Sequence, residues 1–427
     1  MALIQVQAKL GEKWVTLSLN EATGRYEAEL TALGTSHHQP GDYYPITVEI
    51  TNDSGGTATA TAETMPTLRL EVNETTAPVL TLISPGPGYL QTGTPSFIFE
   101  ATDEAGGSGV DPESFSVGAD DPAARFLNNR MASDGRRAGG VAPYTVEAIQ
   151  GGYRFTWTPP GGWADGVHTV TASVKDYDGN AATVSGAYTV DTVPPALYLQ
   201  KPCQRHVVDT EAVTVAGEVW DATSAPVAVT VAGETVPVTG GRFSVDVPLS
   251  VGENTISITA TDQAGNQTTA GMYMIRLVTD RTQADVGRLA ELYDRLAAGG
   301  TWTEEELEWY NTAACLRGSY DVEDLNRVGT AVQFLAGELK KRGYVLDVQP
   351  KTDWTEEDAP TRSQMGDYLQ NVETVRTAQG LYAPEIPQTM RFLTTDGANS
   401  IEKALVETDA WFPNYFAWSA DEISCGE

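Results

Sequence analysis

Three segments of the chain share one pattern, in which an alternating run of small and β-branched residues ends in a glycine-containing turn. The runs are 46–50, 169–174 and 256–260, and the turns after them are 53–57, 176–180 and 262–266. Period-two alternation places one face of each run in a core, and Gly beside Asn or Asp allows the positive φ of a short hairpin loop. Each copy is therefore predicted to be a strand followed by a hairpin. The copies recur at roughly the length of one β-sandwich, so the first two thirds of the chain are predicted to hold tandem β-sandwiches.

Proline marks the boundaries between these domains. The segments 75–85 and 192–202 both combine Thr, Pro, alternating apolar residues and a closing Pro. Proline cannot donate to a sheet ladder and holds the preceding residue extended, which suits the entry to an edge strand. We predict β-sandwich domains at 1–74, 75–193 and 194–280, the second with an insertion at 120–150.

After residue 280 the apolar residues recur three and four positions apart, which predicts amphipathic helices. The clearest run is Leu325, Val328, Val332, Leu335 and Leu339. This narrow apolar seam predicts a small helical bundle over 281–427. The expected fold is therefore a multidomain chain of tandem all-β sandwiches followed by a small all-α module.

The sequence also predicts where several helices begin and end. Asp321 with Asp324, and Thr361 with Gln364, are typical of capping boxes at helix N-termini. Gly343 follows three basic residues and predicts a helix end, and a proline inside the last helical segment, Pro413, predicts an interruption.

The chain is strongly acidic. It has 27 Lys and Arg against 58 Asp and Glu, a formal charge of -31. A field of that sign disfavours nucleic acid and anionic membranes as partners. The sequence predicts neither a secretion signal nor a membrane span, so we expect an exported protein of this kind to leave the cell by another route.

Basic residues are concentrated in the insertion of the second domain. Four arginines lie within it: Arg125, Arg130, Arg136 and Arg137. One interpretation is a loop that contacts an acidic neighbouring subunit or surface. The alternative is a solvated insertion whose arginines pair with local carboxylates.

Aromatic residues are concentrated near the C-terminus, at Trp411, Phe412, Tyr415, Phe416 and Trp418. They are expected either to fill the core of the helical bundle or to anchor a subunit interface.

Chemistry-bearing motifs are scarce. The histidines, His37, His38, His168 and His206, form no recognisable ligand pair, and the three cysteines are far apart. Asp176, Asp178 and Asn180 offer hard oxygen ligands that suit calcium between domains. The alternative is a hairpin turn in which Asp and Asn bind backbone amides. The sequence predicts no catalytic residues and no cofactor.

The chain carries two family resemblances. The segment 157–180, with an Asp-Gly turn before a strand that ends in Asp-x-x-Gly-Asn, resembles the closing half of bacterial immunoglobulin-like domains, and 252–266 repeats it. The segments 324–328, 354–361 and 425–427 resemble a helical module at the end of tail proteins encoded in Firmicutes prophages. The first resemblance implies the fold of residues 75–280 and, more loosely, of 1–74. The second implies a phage tail component.

These observations predict a non-enzymatic structural or host-contacting component of a phage or phage-like tail, in a baseplate, fibre or decoration. Its expected partners are other tail or baseplate proteins and a host-surface glycan or protein, and it is expected to be a homo-oligomer in the particle, assembled in the host cytoplasm. The alternative is a bacterial cell-surface adhesin or glycan-binding accessory protein. A hydrolase with accessory domains is a third hypothesis.

Overall fold

The computed structural model describes residues 3–30, 33–120, 144–202, 206–311 and 315–419, and for 3, 315–316 and 412–419 only the backbone. Two compact units divide the chain, residues 1–193 (unit 1) and residues 194–427 (unit 2). Among the helices in the described ranges, none combines the length and apolar character needed to cross a bilayer.

The first domain of unit 1 holds an antiparallel sheet and a separate hairpin. Its strands are β1 (Leu3–Leu10), β2 (Lys13–Thr16), β3 (Ser18–Asn20), β4 (Arg25–Glu27), β5 (Tyr44–Asn52), β6 (Thr57–Ala60) and β7 (Arg69–Leu70). The sheet order is β2-β1-β5-β6 with β7 paired to β5, and β3 with β4 forms the hairpin. Within the described part of this domain the buried apolar side chains are Val6, Leu10 and Ala62. Its own core is therefore small.

The second domain of unit 1 is a sandwich of two four-stranded sheets. Its strands are β8 (Val79–Ser84), β9 (Gly88–Leu90), β10 (Phe97–Thr102), β11 (Val110–Ala119), β12 (Tyr144–Ile149), β13 (Gly152–Trp157), β14 (Gly166–Asp176) and β15 (Ala181–Val190). The sheet orders are β12-β13-β10-β8 and β11-β14-β15-β9. Phe115 and Phe155 stack in the core with ring centroids 3.9 Å apart. Each such buried ring contributes about 1.5–3 kcal/mol relative to exposure.

The repeated turns share one mechanism. Gly55, Gly179 and Gly265 all have positive φ, as a short hairpin requires. In the third copy Oδ1 of Asp262 accepts hydrogen bonds from the backbone N–H groups of Gly265 at 2.7 Å and Asn266 at 2.9 Å. In the first copy the same role falls to the preceding residue, Asn52, whose Oδ1 accepts the Gly56 N–H at 2.8 Å.

Unit 2 begins with a second sandwich. Its strands are β16 (Ala196–Lys201), β17 (Val207–Val208), β18 (Ala212–Trp220), β19 (Ala228–Val231), β20 (Glu234–Val236), β21 (Arg242–Pro248), β22 (Gly252–Thr261) and β23 (Gln267–Arg276). One sheet has the order β16-β18-β21 and the other β17-β23-β22-β19-β20. Buried valines, Phe243, Ile258 and Met274 fill the space between them.

The helical part of unit 2 follows directly. Its helices are α1 (Gln283–Ala297), α2 (Glu304–Asn311), α3 (Cys315–Gly318), α4 (Val322–Lys341), α5 (Arg362–Thr377) and α6 (Thr395–Ser419). The capping boxes predicted at Asp321 and Thr361 are confirmed. Gly343, with φ of +92°, follows the end of α4 as predicted.

The interruption predicted at Pro413 is wrong, because α6 continues to Ser419. Proline removes one intrahelical hydrogen bond and clashes with the preceding turn, a cost of about 3 kcal/mol. In α6 the turns before it are held by buried side chains such as Ile401 and Leu405. Tertiary packing of that earlier part therefore offsets the local preference.

The β and α parts of unit 2 share one hydrophobic core. Val207, Ile275 and Leu277 of the sandwich belong to the same buried cluster as the seam of α4 and the inner faces of α5 and α6. The side chain of Asp409 in α6 also accepts the backbone N–H groups of His206 at 2.7 Å and Val207 at 2.9 Å. The helical module is thus packed and hydrogen-bonded onto the sandwich within this unit.

A buried ionic cluster lies where the last strand gives way to α1. Arg281 donates from Nη2 to Asp324 Oδ1 at 2.7 Å and to Glu402 Oε1 at 2.6 Å. Arg327 donates from Nε to Glu402 Oε2 at 3.0 Å and also contacts Asp324. The side chains of the four residues are between 0% and 4% exposed. We call Arg281, Asp324, Arg327 and Glu402 the four-charge cluster.

The cluster is electrically balanced, with two acids and two bases. Burial raises the pKa of Asp324, and the neighbouring arginines only partly oppose that effect. For Glu402 burial also acts to raise the pKa, but Arg327, Arg281 and the Val278 N–H outweigh it and lower the pKa. Glu402 is therefore the acid whose ionised form the arginines stabilise most.

We expect Glu402→Gln to destabilise unit 2 by about 3 to 5 kcal/mol, because it leaves two buried arginines with one carboxylate. Denaturant unfolding of the full chain, followed by circular dichroism, measures this loss. The matched control is Glu407→Gln, an exposed position on the same helix, which should change stability by less than about 0.5 kcal/mol. Equal stabilities for the two variants would contradict the role assigned to the cluster.

Candidate functional site

For most of the interaction residues predicted from the sequence, the structure describes no side chain. Arg125, Arg130, Arg136 and Arg137 lie outside the described residues. Trp411 lies on α6 and is 39% exposed. The other four aromatic residues also belong to α6, in the part for which the structure describes only the backbone: Phe412, Tyr415, Phe416 and Trp418. The choice between bundle core and subunit interface therefore stays a prediction.

The side chains of the 176–180 turn, the predicted calcium candidate, serve two purposes. Asp176 accepts the backbone N–H of Asn180 at 2.7 Å and its side-chain amide at 2.8 Å, which closes the hairpin. Asp178 lies at the other side of the turn and accepts from Thr35 Oγ1 and from the Glu74 N–H, both at 2.7 Å. Asp178 thus joins the second domain to the first and to the linker.

Other contacts support this junction within unit 1. The rings of His37 and Tyr177 stack with centroids 4.7 Å apart. His38 Nε2 lies 3.0 Å from the carbonyl oxygen of Gly107. The side-chain amide of Asn180 donates to the carbonyl oxygen of Glu74 at 3.1 Å. Side chains from both domains therefore meet at the loop that contains Asp178.

Three carboxylates converge at the same junction. One oxygen each of Glu74, Asp103 and Glu104 lies within 4.8 Å of the others. Glu74 Oε1 and Asp103 Oδ1 are buried and have no hydrogen-bond partner among the described residues. Burial raises the pKa of both Glu74 and Asp103, and repulsion from Glu104 adds to it. Sequence spacing could not reveal this group, because Glu74 lies in the linker and the other two in a loop after β10.

A histidine near the start of β14 contacts Asp120, the residue that follows β11. His168 Nδ1 lies 2.6 Å from Asp120 Oδ2, and Nε2 lies 2.8 Å from the Ala164 carbonyl oxygen. The imidazole stacks on Trp163 with centroids 4.5 Å apart. Because both ring nitrogens face acceptors, the doubly protonated imidazolium satisfies both contacts. Burial opposes the charge, but the bonds to Asp120 and Ala164 outweigh it and raise the pKa of His168.

Unit 2 contains a cleft of about 910 Å³ between the sandwich and the helices. Its lining includes Arg276, Asp321, Glu356, Leu325 and Met365. Arg276 is held by the Leu249 carbonyl oxygen at 2.8 Å, and Asp321 caps α4, so both side chains are already engaged in the fold. The described lining joins no nucleophile to a base and offers no convergent set of metal ligands.

We expect Glu74→Gln to raise the thermal midpoint of unit 1 by a few degrees in calcium-free buffer at neutral pH. The pKa of Glu74 is raised, so its ionised form is disfavoured in the fold, and a neutral isostere removes that repulsion while keeping an acceptor for the Ser108 N–H. The control is Glu71→Gln, an exposed position in the same linker. A lower midpoint for Glu74→Gln would contradict this account.

The same experiment tests the calcium prediction for Asp176, Asp178 and Asn180. If the turn binds calcium, millimolar calcium should raise the wild-type midpoint, and Asp178→Asn should lose that rise. If calcium raises the midpoint of Asp178→Asn but not that of Glu74→Gln, the calcium site is the three-carboxylate group and not the turn. A wild-type midpoint indifferent to calcium would rule out both positions.

We expect His168 to make the stability of unit 1 depend on pH. Its pKa is higher in the folded than in the unfolded chain, so its stabilisation is complete below the unfolded value of about 6.5 and disappears as pH rises through the folded pKa. The variant His168→Phe keeps an aromatic ring against Trp163 but cannot titrate. The stability difference between wild type and variant should therefore shrink as the pH rises above about 6.5. A constant difference would show that His168 does not titrate in this range.

Comparison with known families places immunoglobulin-like domains in both units. Residues 128–192 match the family described as Bacterial Ig-like domain. Residues 195–276 match the family described as Glucodextranase, domain B. No curated protein sequence matches the chain.

Several solved structures also align with the chain at low sequence identity. A titin I-band fragment, I67–I69, is 12% identical over 64% of this chain and 88% of its own, with a TM-score of 0.28. Immunoglobulin domains 1–4 of Sidekick-1 are 15% identical over 64% and 67%, with a TM-score of 0.26. Latent PorU from Porphyromonas gingivalis is 14% identical over 65% and 30%, with a TM-score of 0.22. The two family matches and the described strands and helices show immunoglobulin-like domains followed by a C-terminal helical module.

Proposed function

We propose that the protein is a non-enzymatic structural or host-contacting component of a phage or phage-like tail. Its immunoglobulin-like domains suit a structural or adhesion role, in which surfaces are held in place rather than substrates converted. The resemblance of 324–328 and 354–361 to the terminal module of prophage tail proteins supports the tail in particular. On this proposal its partners are other tail or baseplate proteins, in a homo-oligomer assembled in the host cytoplasm.

The observation that carries the proposal is the union of sandwich and helices in unit 2. A helical module that shares its core with an immunoglobulin-like domain and encloses the four-charge cluster cannot reorient freely against that domain without exposing buried charge. Such a unit suits a component that must keep one domain at a fixed angle to its docking module.

The second candidate function is a cell-surface adhesin or glycan-binding accessory protein. It is favoured by the match of residues 195–276 to a domain of glucodextranase. On this alternative the immunoglobulin-like domains themselves carry the binding surface, and the helical module is only a base for them.

The test is the composition of particles from the source cell. We expect this chain in purified tail-like particles, detected by mass spectrometry and located by antibody labelling. Recovery of the chain on the cell surface, with particles lacking it, would reject the tail and favour the adhesin.

A further inference from the structure

Two large aromatic side chains stand on the outer face of the sheet β16-β18-β21. Tyr198 is 68% exposed and Trp220 is 65% exposed. Neither is needed to fill the sandwich, because the inward residues of the sheet, Val215, Val219 and Phe243, are buried. A tryptophan that keeps most of its surface in water is unusual, since its large apolar area favours burial.

The strand register puts these rings on the same face as neighbours. Ala196 pairs with Trp220 and Tyr198 with Glu218. Tyr198 and Trp220 are therefore diagonal neighbours on adjacent strands, and such positions are about 7–8 Å apart. Two rings at this separation on one flat face can contact successive units of a single extended ligand.

A salt bridge lies beside the two rings on the same face. Glu218 pairs in register with Arg242 on β21. Arg242 donates from Nε to Glu218 Oε1 at 2.8 Å, and its Nη2 lies 2.8 Å from the same oxygen. Both contacts use Oε1 of Glu218, and the side chains of Arg242 and Glu218 are 75% and 38% exposed. One acceptor and further guanidinium N–H groups therefore face solvent beside the rings.

The chemistry of this face selects its ligand. Aromatic faces attract the weakly positive C–H groups of sugar rings, while a carboxylate and a guanidinium bind hydroxyl groups as acceptor and donor. Glu218 and Arg242 cancel each other, so this pair adds no net charge beside the rings, and an anionic ligand would also be repelled by the formal charge of -31 of the chain. A protein partner would favour a broad, contiguous apolar patch, whereas these rings adjoin the Glu218–Arg242 pair and the hydrogen-bonded Thr214 and Asp246.

We propose that the outer face of β16, β18 and β21 binds a neutral glycan chain, with Tyr198 and Trp220 stacking on its sugar rings and Glu218 and Arg242 binding its hydroxyl groups. This inference rests on the contact role proposed above and gives that role a ligand class. It holds for a tail protein and for a surface adhesin alike.

The test is affinity electrophoresis of the full chain in gels that contain dextran, laminarin or galactomannan as neutral polysaccharides, or alginate as an anionic one. We expect retardation by at least one neutral polysaccharide and none by alginate. Trp220→Ala and Tyr198→Ala should each weaken binding roughly tenfold, the scale of one stacked ring. Arg242→Ala should weaken it less, because it removes hydroxyl contacts and keeps both rings.

The matched control is Tyr382→Ala, which removes an equally exposed tyrosine, 72% exposed, from the helical part of the same unit. It should bind like wild type, and thermal midpoints of all variants should stay close to wild type because the altered side chains are exposed. Failure of every neutral polysaccharide to bind, or equal binding by wild type and the Trp220→Ala, Tyr198→Ala double variant, would overturn the proposal. Retardation by alginate alone would overturn it as well.

This outcome is separable from that of the proposed function. A chain that is absent from particles but binds a neutral polysaccharide through Trp220 would reject the tail and keep the glycan site. A chain that is found in particles but binds none of the polysaccharides when purified would keep the tail and reject the glycan site.

Discussion

Unit 2 depends on two arginines and two acids that are closed off from water at one place. Arg281 comes five residues after the end of β23 and just before α1, so the chain passes through the four-charge cluster as it leaves the sandwich. Removing four charges from water costs several kcal/mol per ion. Their mutual contacts offset that cost, together with bonds to the backbone of Val278 and Asp321 and the contact of Arg281 with the Tyr320 ring. Because Asp324, Arg327 and Glu402 come from α4 and α6, the cluster forms only when both helices are seated, which ties helix packing to the end of the last strand.

Unit 1 uses a different solution for joining its domains. The junction there has hydrogen bonds that involve Asp178 and Asn180, one ring stack, and two carboxylates, Glu74 and Asp103, whose ionised forms are disfavoured. The first domain has few buried apolar side chains of its own, so these polar contacts carry more of its attachment than the hydrophobic core does. Contacts of this kind are each worth only about 1 kcal/mol and are open to changes of pH and ions. Within unit 1, the stability of this junction is therefore the part that changes of pH and ion concentration can adjust.

Local sequence patterns predicted much of this structure, but they did not reveal the partners of residues that lie far apart in the chain. Period-two runs, the apolar seam of α4 and the capping boxes at Asp321 and Thr361 depend on residues within a few positions of each other, so the sequence shows them directly. Asp324 and Arg327 could be placed on one helix, but their partners Arg281 and Glu402 lie 43 and 75 residues away. The sequence pattern places Asp53 at the start of the first turn, whereas in the structure Asn52 accepts the turn N–H groups, because an amide oxygen can replace a carboxylate there.

The third domain also separates what a fold requires from what a site requires. Alternation along β16, β18 and β21 sends Val215, Val219 and Phe243 inward, and these residues suffice to hold the two sheets together. The outer positions are free of that demand, so small polar residues would serve the fold as well as, or better than, Tyr198 and Trp220. Exposing two large rings adds apolar surface to water and risks association. Exposed rings at these positions do not stabilise the sandwich, so we attribute them to binding of a ligand outside the domain.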